Sequence, residues 1–211
     1  MKILVTGGSR GIGKSIVDRF LSLGHEVYFP TRDEIDLSCD VVLPDTEFDV
    51  IINNAGINPI AAFDQVDHDM VMKINYFSPR SIIEQCLPYM ISKKFGRIIN
   101  IGSIWIDLAK QNRSAYSASK NALHSITMSL TAEYANYNIL SNTVSPGFIG
   151  TDLTFKNNTD EELETIVSGI PIGRLGTPDE ISKLVYFLAI DNTFICGQNI
   201  VVDGGYLCSV N

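Results

Sequence analysis

Few folds accommodate a short apolar run that breaks at once into clustered glycines and then resumes at helical spacing. The chain begins in this way. Lys2-Ile3-Leu4-Val5 leads into Thr6-Gly7-Gly8-Ser9-Arg10-Gly11-Ile12-Gly13, after which Ile12, Ile16, Val17, Phe20 and Leu21 recur on one helical face until Gly24 stops them. Strand, glycine loop and helix in that order form an anion site, because bare amides at a helix start attract phosphate and absent side chains let a diphosphate approach. Gly7, Ser9, Arg10, Gly11, Ile12 and Gly13 are therefore candidate cofactor-binding residues. The glycines are spaced G-x-x-x-G-x-G. A second pattern overlaps them, since Gly8 to Ser15 also satisfies G-x-x-x-x-G-K-[ST], the P-loop of nucleotide hydrolases. That alternative predicts Lys14 on the phosphates, Ser15 on a metal and Asp203, at the end of Ile200-Val201-Val202, on magnesium.

A second constellation lies mid-chain. Tyr116 and Lys120 are four residues apart and share one face of a helix, and Ser103 lies upstream. A cation beside a phenol favours the phenolate, so Tyr116 is expected to titrate below the ordinary ~10 and to exchange a proton with a developing alkoxide. The plain alternative is an ordinary helix carrying a surface Tyr and Lys. Short apolar runs starting near Lys2, Glu26, Val50, Arg97, Leu140 and Gln198 alternate with helical patterns, which predicts an α/β fold with a parallel sheet covered by helices on both faces. Two helix starts are announced by side chains: Thr177 with Pro178 and Glu180, and Thr159 with Glu162.

Taken together, these residues resemble the short-chain dehydrogenase/reductase family over nearly the whole chain. The motifs are T-G-x-x-x-G-x-G at Thr6–Gly13, N-N-A-G at Asn53–Gly56, Asn75, Ser103, Y-x-x-x-K at Tyr116–Lys120, and Pro146-Gly147 with Thr151 beyond. The tail from Pro171 to Glu180 and from Gly197 to Gly205 is similar to the 3-oxoacyl-acyl-carrier-protein reductase branch. The resemblance implies a Rossmann-type, doubly wound parallel sheet in one domain spanning 1–211, with a substrate lid near 152–172.

It also implies roles. Tyr116 would be the general acid, Ser103 would hold the carbonyl oxygen, and Lys120 would bind the nicotinamide ribose and depress the Tyr116 pKa. Asn75 would anchor a proton-relay water, its plain alternative being a helix-interior Asn bonded to backbone. Ile149 and Thr151 would meet the carboxamide, and Asn54, Ala55 and Gly56 would line the adenosine half. For Asn53, tying neighbouring loops together and direct contact are both open. The implied activity is reduction of a small-molecule ketone, as a 3-oxoacyl thioester or sugar ketone, by a homodimer or homotetramer. A nucleotide-sensing protein on the same fold is the non-catalytic alternative.

Charge argues the cofactor. Thr31 follows strand two where an acid would favour NADH, Arg32 comes next, and Arg10 sits in the glycine loop; two guanidinium groups suit a 2′-phosphate and hence NADPH. Asp33 or Glu34 could instead serve a ribose hydroxyl, so NADH stays open.

Only twenty residues separate Arg32 from Asn53, too few for a helix, a strand and a second helix at ~11 residues per helix. The first helix is expected to be absent and the second shortened. Asp36-Leu37 is expected to end a third strand against the adenine, beside a more open adenosine pocket.

A net charge of −8 argues against nucleic-acid or anionic-membrane surfaces. The apolar stretch Leu184–Ile190 is far below spanning length, and no secretory signal is expected. Cys39, Cys86, Cys196 and Cys208 form no C-x-x-C and are expected as reduced thiols of a cytoplasmic protein. His25, His68 and His124 are scattered, so no metal site is expected. Trp105 is either a substrate wall or a packing residue.

Overall fold

The computed structural model describes residues 1–209. The strands are β1 (Lys2–Val5), β2 (Glu26–Tyr28), β3 (Val50–Asn53), β4 (Gly96–Ile101), β5 (Ile139–Pro146) and β6 (Asn199–Val202). They form one parallel sheet in the order β2-β1-β3-β4-β5-β6, with Leu4 in register with both Tyr28 and Ile51. β4, β5 and β6 begin within one residue of the expected positions.

The chain runs outward from β1 to β2 and then returns past β1 to β3. That reversal opens a crevice at the carboxyl ends of β1 and β3, where doubly wound sheets bind ligands.

Helices cover both faces. Helix α1 (Gly11–Ser22) buries Ile16, Val17 and Phe20 against Ile3, Val5 and Ile52, together with Ile181 and Val185 of α7 (Pro178–Ile190). Arg19 ties the two helices, its Nε donating to Ser182 Oγ at 2.9 Å. Thr177 and Glu180 form the expected capping box on α7, as do Thr159 and Glu162 on α6 (Asp160–Ser168). On the other face, α3 (Ser78–Lys93) and α4 (Ser114–Tyr134) pack Ile82, Ile83, Met90 and Leu130 on Leu4, Ile51 and Ile98.

A continuous helical stretch starts with α2 (His68–Met72) and widens to a π-turn over Lys73–Phe77 before α3 begins. Pro79, in the first turn of α3, has no amide to return to this turn, and the looser ladder turns Asn75 fully inward.

The stretch between Tyr28 and Val50 departs furthest from expectation. It contains no helix, so the second helix is absent and not merely shortened, and Asp36-Leu37 is not a strand end. Local side chains turn the backbone before either element can nucleate. Glu34 accepts from the Thr31 amide at 2.7 Å, and Asp36 accepts from the Ser38 amide at 2.9 Å and hydroxyl at 2.7 Å. The chain then crosses the sheet face as coil, burying Val41, Leu43 and Phe48 in the α3/α4 core where a helix would otherwise supply the apolar surface.

Gln85 of α3 holds this coil. Its Oε1 accepts from the Leu43 amide at 3.0 Å, and its Nε2 donates to the Val41 carbonyl at 3.0 Å. One side chain thus does for two backbone groups what a strand neighbour would do. Gln85→Ala leaves both unpaired, and we expect a loss of about 1–3 kcal/mol, read as a fall in the urea midpoint at constant slope. An unchanged midpoint would mean that the apolar anchors alone hold the segment.

Candidate active site

The loops leaving β1, β3, β4 and β5 enclose a cleft of about 470 Å³. One end is the glycine loop, where Gly7, Ser9, Arg10, Gly11, Ile12 and Gly13 all line the wall. Space there is reserved for backbone. A Cβ at Gly13 would stand 2.1 Å from the Gly7 carbonyl oxygen, and Gly7 itself takes φ +67°. The loop is clamped to its neighbour, because Thr6 Oγ1 accepts from the amides of Asn54 and Ala55 at 3.1 Å. Asn54 Nδ2 returns hydrogen bonds to the carbonyls of Thr6 and Gly7 at 3.1 and 3.0 Å. The cradle therefore fits a diphosphate-bearing cofactor.

Beyond the loop the cleft continues past Thr31, Arg32, Asp36 and Leu37, so the coil that replaces the missing elements still closes this side. Arg32 is largely exposed and pairs with Asp36 at 3.3 Å. Ala55 and Gly56 line the middle, and Ile149 and Thr151 line the opposite wall.

At the far end Ser103, Tyr116 and Lys120 converge. Ser103 follows β4, with its hydroxyl accepting from the Trp105 amide at 3.3 Å. Tyr116 stands in the first turn of α4, with Lys120 one turn on. Lys120 is 3% exposed, and its ammonium has one hydrogen-bond acceptor among the described residues, the Ile101 carbonyl at 2.7 Å. Burial pushes its pKa down to about 8.

The Tyr116 pKa, expected to fall, lies above the ordinary phenol value. Burial raises it, and the Ser103 hydroxyl and the Arg113 charge only partly oppose that. Lys120 is not among the groups that lower it, since its ammonium is turned to a backbone carbonyl at the inner side, 5.7 Å from the ring centroid.

Asn75 does not reach the cleft wall. Its Oδ1 accepts from the Ile57 amide at 2.9 Å, and its Nδ2 donates to the Ile57 carbonyl at 2.9 Å and Ser119 Oγ at 3.0 Å. This is the backbone-bonding alternative. It fixes the loop beyond Gly56 to the helix that carries Lys120. Asn53 likewise points into the sheet, donating to Asn100 Oδ1 at 2.9 Å. Trp105 packs edge-on to Phe148 and is not part of the cleft wall.

The overlapping P-loop pattern has no such setting. Lys14 turns away from the cleft to pair with Asp18 at 2.6 Å, and the Asp203 carboxylate accepts from the amides of Gly205 and Leu207 at 2.8 Å.

Residues 40–207 match the family described as enoyl-(acyl carrier protein) reductase. The 3-oxoacyl-acyl-carrier-protein reductase of Rickettsia prowazekii is 34% identical over 97% of this chain and 95% of its own. The chain belongs to the short-chain dehydrogenase/reductase family.

Two solved structures of the family share its fold closely. One, assigned as a 2-deoxy-D-gluconate 3-dehydrogenase from Agrobacterium tumefaciens and solved with NADP, superposes with a TM-score of 0.90 at 27% identity, covering 98% of this chain and 96% of the other. A 4-hydroxyisoleucine dehydrogenase complexed with NADH gives 0.87 at 27% identity, covering 99% of each. The short-chain dehydrogenase described here is an NAD(P)H-dependent oxidoreductase that reduces a ketone to a secondary alcohol.

Sequence reasoning passed over two cleft neighbours. Asn58 lines the wall, and Arg113, the residue just before α4, donates to the Asn58 Oδ1 at 2.9 Å. An Arg three residues before the tyrosine of Y-x-x-x-K was the available signal.

Proposed function

We propose that this short-chain dehydrogenase is an NADPH-preferring ketoreductase in which Tyr116 protonates the substrate oxygen. The observation that carries the reading is one continuous cleft with the glycine cradle at one end and Ser103, Tyr116 and Lys120 at the other. The bound reduced nicotinamide supplies the hydride. Ser103 and Tyr116 aim two hydroxyl donors at the oxygen where negative charge develops, and a phenol kept protonated by burial has its proton ready to give. Lys120, below Gly56, is the cation for the nicotinamide ribose; a Cβ on Gly56 would stand 3.5 Å from its Nζ. Asn54, Ala55 and Gly56 serve the adenosine half, Ile149 and Thr151 the carboxamide, and Asn75 acts by holding the Ile57 loop. The substrate is a ketone of the acyl-thioester or sugar kind that the relatives' names describe.

The cofactor preference rests on charge at the adenosine end. Arg10 is exposed and has no carboxylate within 4 Å among the described residues, while Glu34 and Asp36 are spent on Thr31, Ser38 and Arg32. A 2′-phosphate therefore meets two guanidinium groups, and the remaining acid of this stretch, Asp33, is not part of the cleft wall. Fluorescence titration is expected to give NADPH the lower Kd, and Arg10→Ser with Arg32→Ser should cut the NADPH-to-NADH affinity ratio by about tenfold or more. An NADH preference in the unmodified protein would move the assignment to Asp33 or Asp36.

The chain functions as a homodimer or homotetramer in this reading, through α4 and the carboxyl-terminal segment, of which residues 210–211 lie outside the described residues. Exposed Met128 on α4 and Phe194 before β6 support such contacts, and light scattering tests them. The described region acts as a single domain whose lid is α5 (Asp152–Asn157) with α6, on which Leu153 and Phe155 are exposed. A cytoplasmic setting is supported by four cysteines without a disulfide. No helix among the described residues is long and apolar enough to cross a membrane.

A further inference from the structure

The coil that replaces the missing elements supplies Thr31, Arg32, Ile35, Asp36 and Leu37 to the cleft wall, yet it has no strand or helix ladder to hold them. Its own bonds are short-range. Glu34 and Asp36 accept from the Thr31 and Ser38 amides, and the amides of Ile35 and Cys39 donate to the carbonyls of Thr31 and Asp36 at 3.0 Å. These bonds shape residues 31–39 without fixing them against their neighbours. Among the described residues, one hydrogen bond joins this stretch to the rest of the fold: Ser78 Oγ donates to the Leu37 carbonyl at 2.7 Å.

Ser78 is well placed to carry that bond. It is 2% exposed and opens α3, and its amide closes the π-turn by donating to the Lys73 carbonyl. A helical serine ordinarily returns its hydroxyl to a carbonyl of the preceding turn. This one reaches a residue 41 positions earlier in the chain. The π-turn before it serves the rest of the cleft, since Ile74 lines the wall and Asn75 holds Ile57. Residues 74–78 thus form a common floor, with Ser78 as the arm that reaches the coil. Lys73 also pairs with Asp40 at 2.6 Å, but the Asp40 side chain is fully exposed, and such a pair is screened and weak.

We propose that Ser78 is a positioning residue for the cofactor: its hydroxyl holds the coil at Leu37, so that the adenosine half of NADPH meets a wall already in its binding shape. The proposal rests on the reading of this end of the cleft as the adenosine side, and it adds a residue that is not part of the cleft wall. Without the bond, the Leu37 carbonyl loses its partner, and residues 31–39 keep only the packing of Ile35 and Leu37 on the core. Apolar packing is non-directional and does not fix where Arg32 and Asp36 stand. Binding must then order them, and the entropy lost is subtracted from affinity. The other end keeps its geometry, because Tyr116 and Lys120 are carried by α4 and Ser103 directly follows β4. Loss of the Ser78 hydroxyl is therefore felt by one half of the cofactor.

The test uses the full chain, titrated with NADPH, with 2′,5′-ADP as the adenosine half and with reduced nicotinamide mononucleotide as the other half. Ser78→Ala should raise the Kd of NADPH and of 2′,5′-ADP by about tenfold, and leave that of the mononucleotide within about twofold. Ser78→Cys keeps the volume but offers a weak donor, and should fall in between. Gln85→Ala is the control, because it frees Val41 and Leu43, which belong to the same coil but not to the cleft wall. It should lower stability and leave all three constants within about twofold. Unchanged 2′,5′-ADP binding in Ser78→Ala overturns the proposal, as does an equal loss for the mononucleotide. An equal loss in Gln85→Ala also overturns it, since the effect would then be one of general stability. Failure of the adenosine reading looks different: Arg10→Ser with Arg32→Ser would then leave 2′,5′-ADP binding unchanged.

Discussion

Replacing Tyr116 with Phe is expected to lower kcat for ketone reduction by about 10³-fold or more while leaving the NADPH Kd within a few-fold of the unmodified value. The asymmetry follows from where the hydroxyl points. Cofactor affinity comes from the glycine cradle, the Thr6–Asn54 clamp and the Lys120 side, none of which uses the phenol oxygen. The chemistry needs that oxygen twice, as proton donor and as one of the two donors facing the developing alkoxide. Burial raises the Tyr116 pKa, so the protonated form required for reduction persists through neutral pH. The rate of the unmodified enzyme should therefore be level there and fall only on the alkaline side as the phenol ionises; the reverse oxidation, which needs the phenolate, should rise in that direction. Pre-steady-state NADPH oxidation across pH reads both limbs. A Tyr116→Phe enzyme that keeps its rate, or a reduction rate that rises into alkali, would remove Tyr116 from the role.

The elements that make this site were legible because their signals are local. The strand–glycine–helix succession at Lys2 to Ser22, the caps at Thr159 and Thr177, and the shared face of Tyr116 and Lys120 each rest on residues a few positions apart. The parallel sheet followed from the alternation of apolar runs with helical ones. What the sequence hid depends on distant partners. Twenty residues between Arg32 and Asn53 signalled a deletion, but not that coil would replace every element, because the coil is held by Gln85 from another helix and by Val41, Leu43 and Phe48 inserting under α3 and α4. The pKa of Tyr116 was misjudged for the same reason. Spacing places Lys120 on the right face, but only the fold buries its ammonium and turns it to the Ile101 carbonyl.

Lys120 carries the second large effect, and here stability and activity should move in opposite directions. Unfolded, this lysine holds its proton to about 10.5; folded, burial lets it go near 8. Between those values the unfolded chain binds more protons, so stability rises with pH through the window, and below about pH 8 the folded protein bears the full cost of the buried charge. The interval corresponds to about 3 kcal/mol. Lys120→Met removes that cost but leaves the Ile101 carbonyl without its donor, a loss of about 1–2 kcal/mol. The variant should thus be more stable than the unmodified protein at pH 7 by about 1–2 kcal/mol, and the advantage should vanish or reverse near pH 10.5. Its kcat/KM should fall by about 10²-fold or more, because the nicotinamide ribose loses the cation that would hold it beside Tyr116. Urea unfolding at pH 7 and pH 10, with NADPH titration of the same samples, reads each part. A Lys120→Met protein less stable than its parent at pH 7 would mean that the ammonium, even with a single carbonyl partner, is well accommodated in the folded state, and that the buried charge is not the strain this site stores.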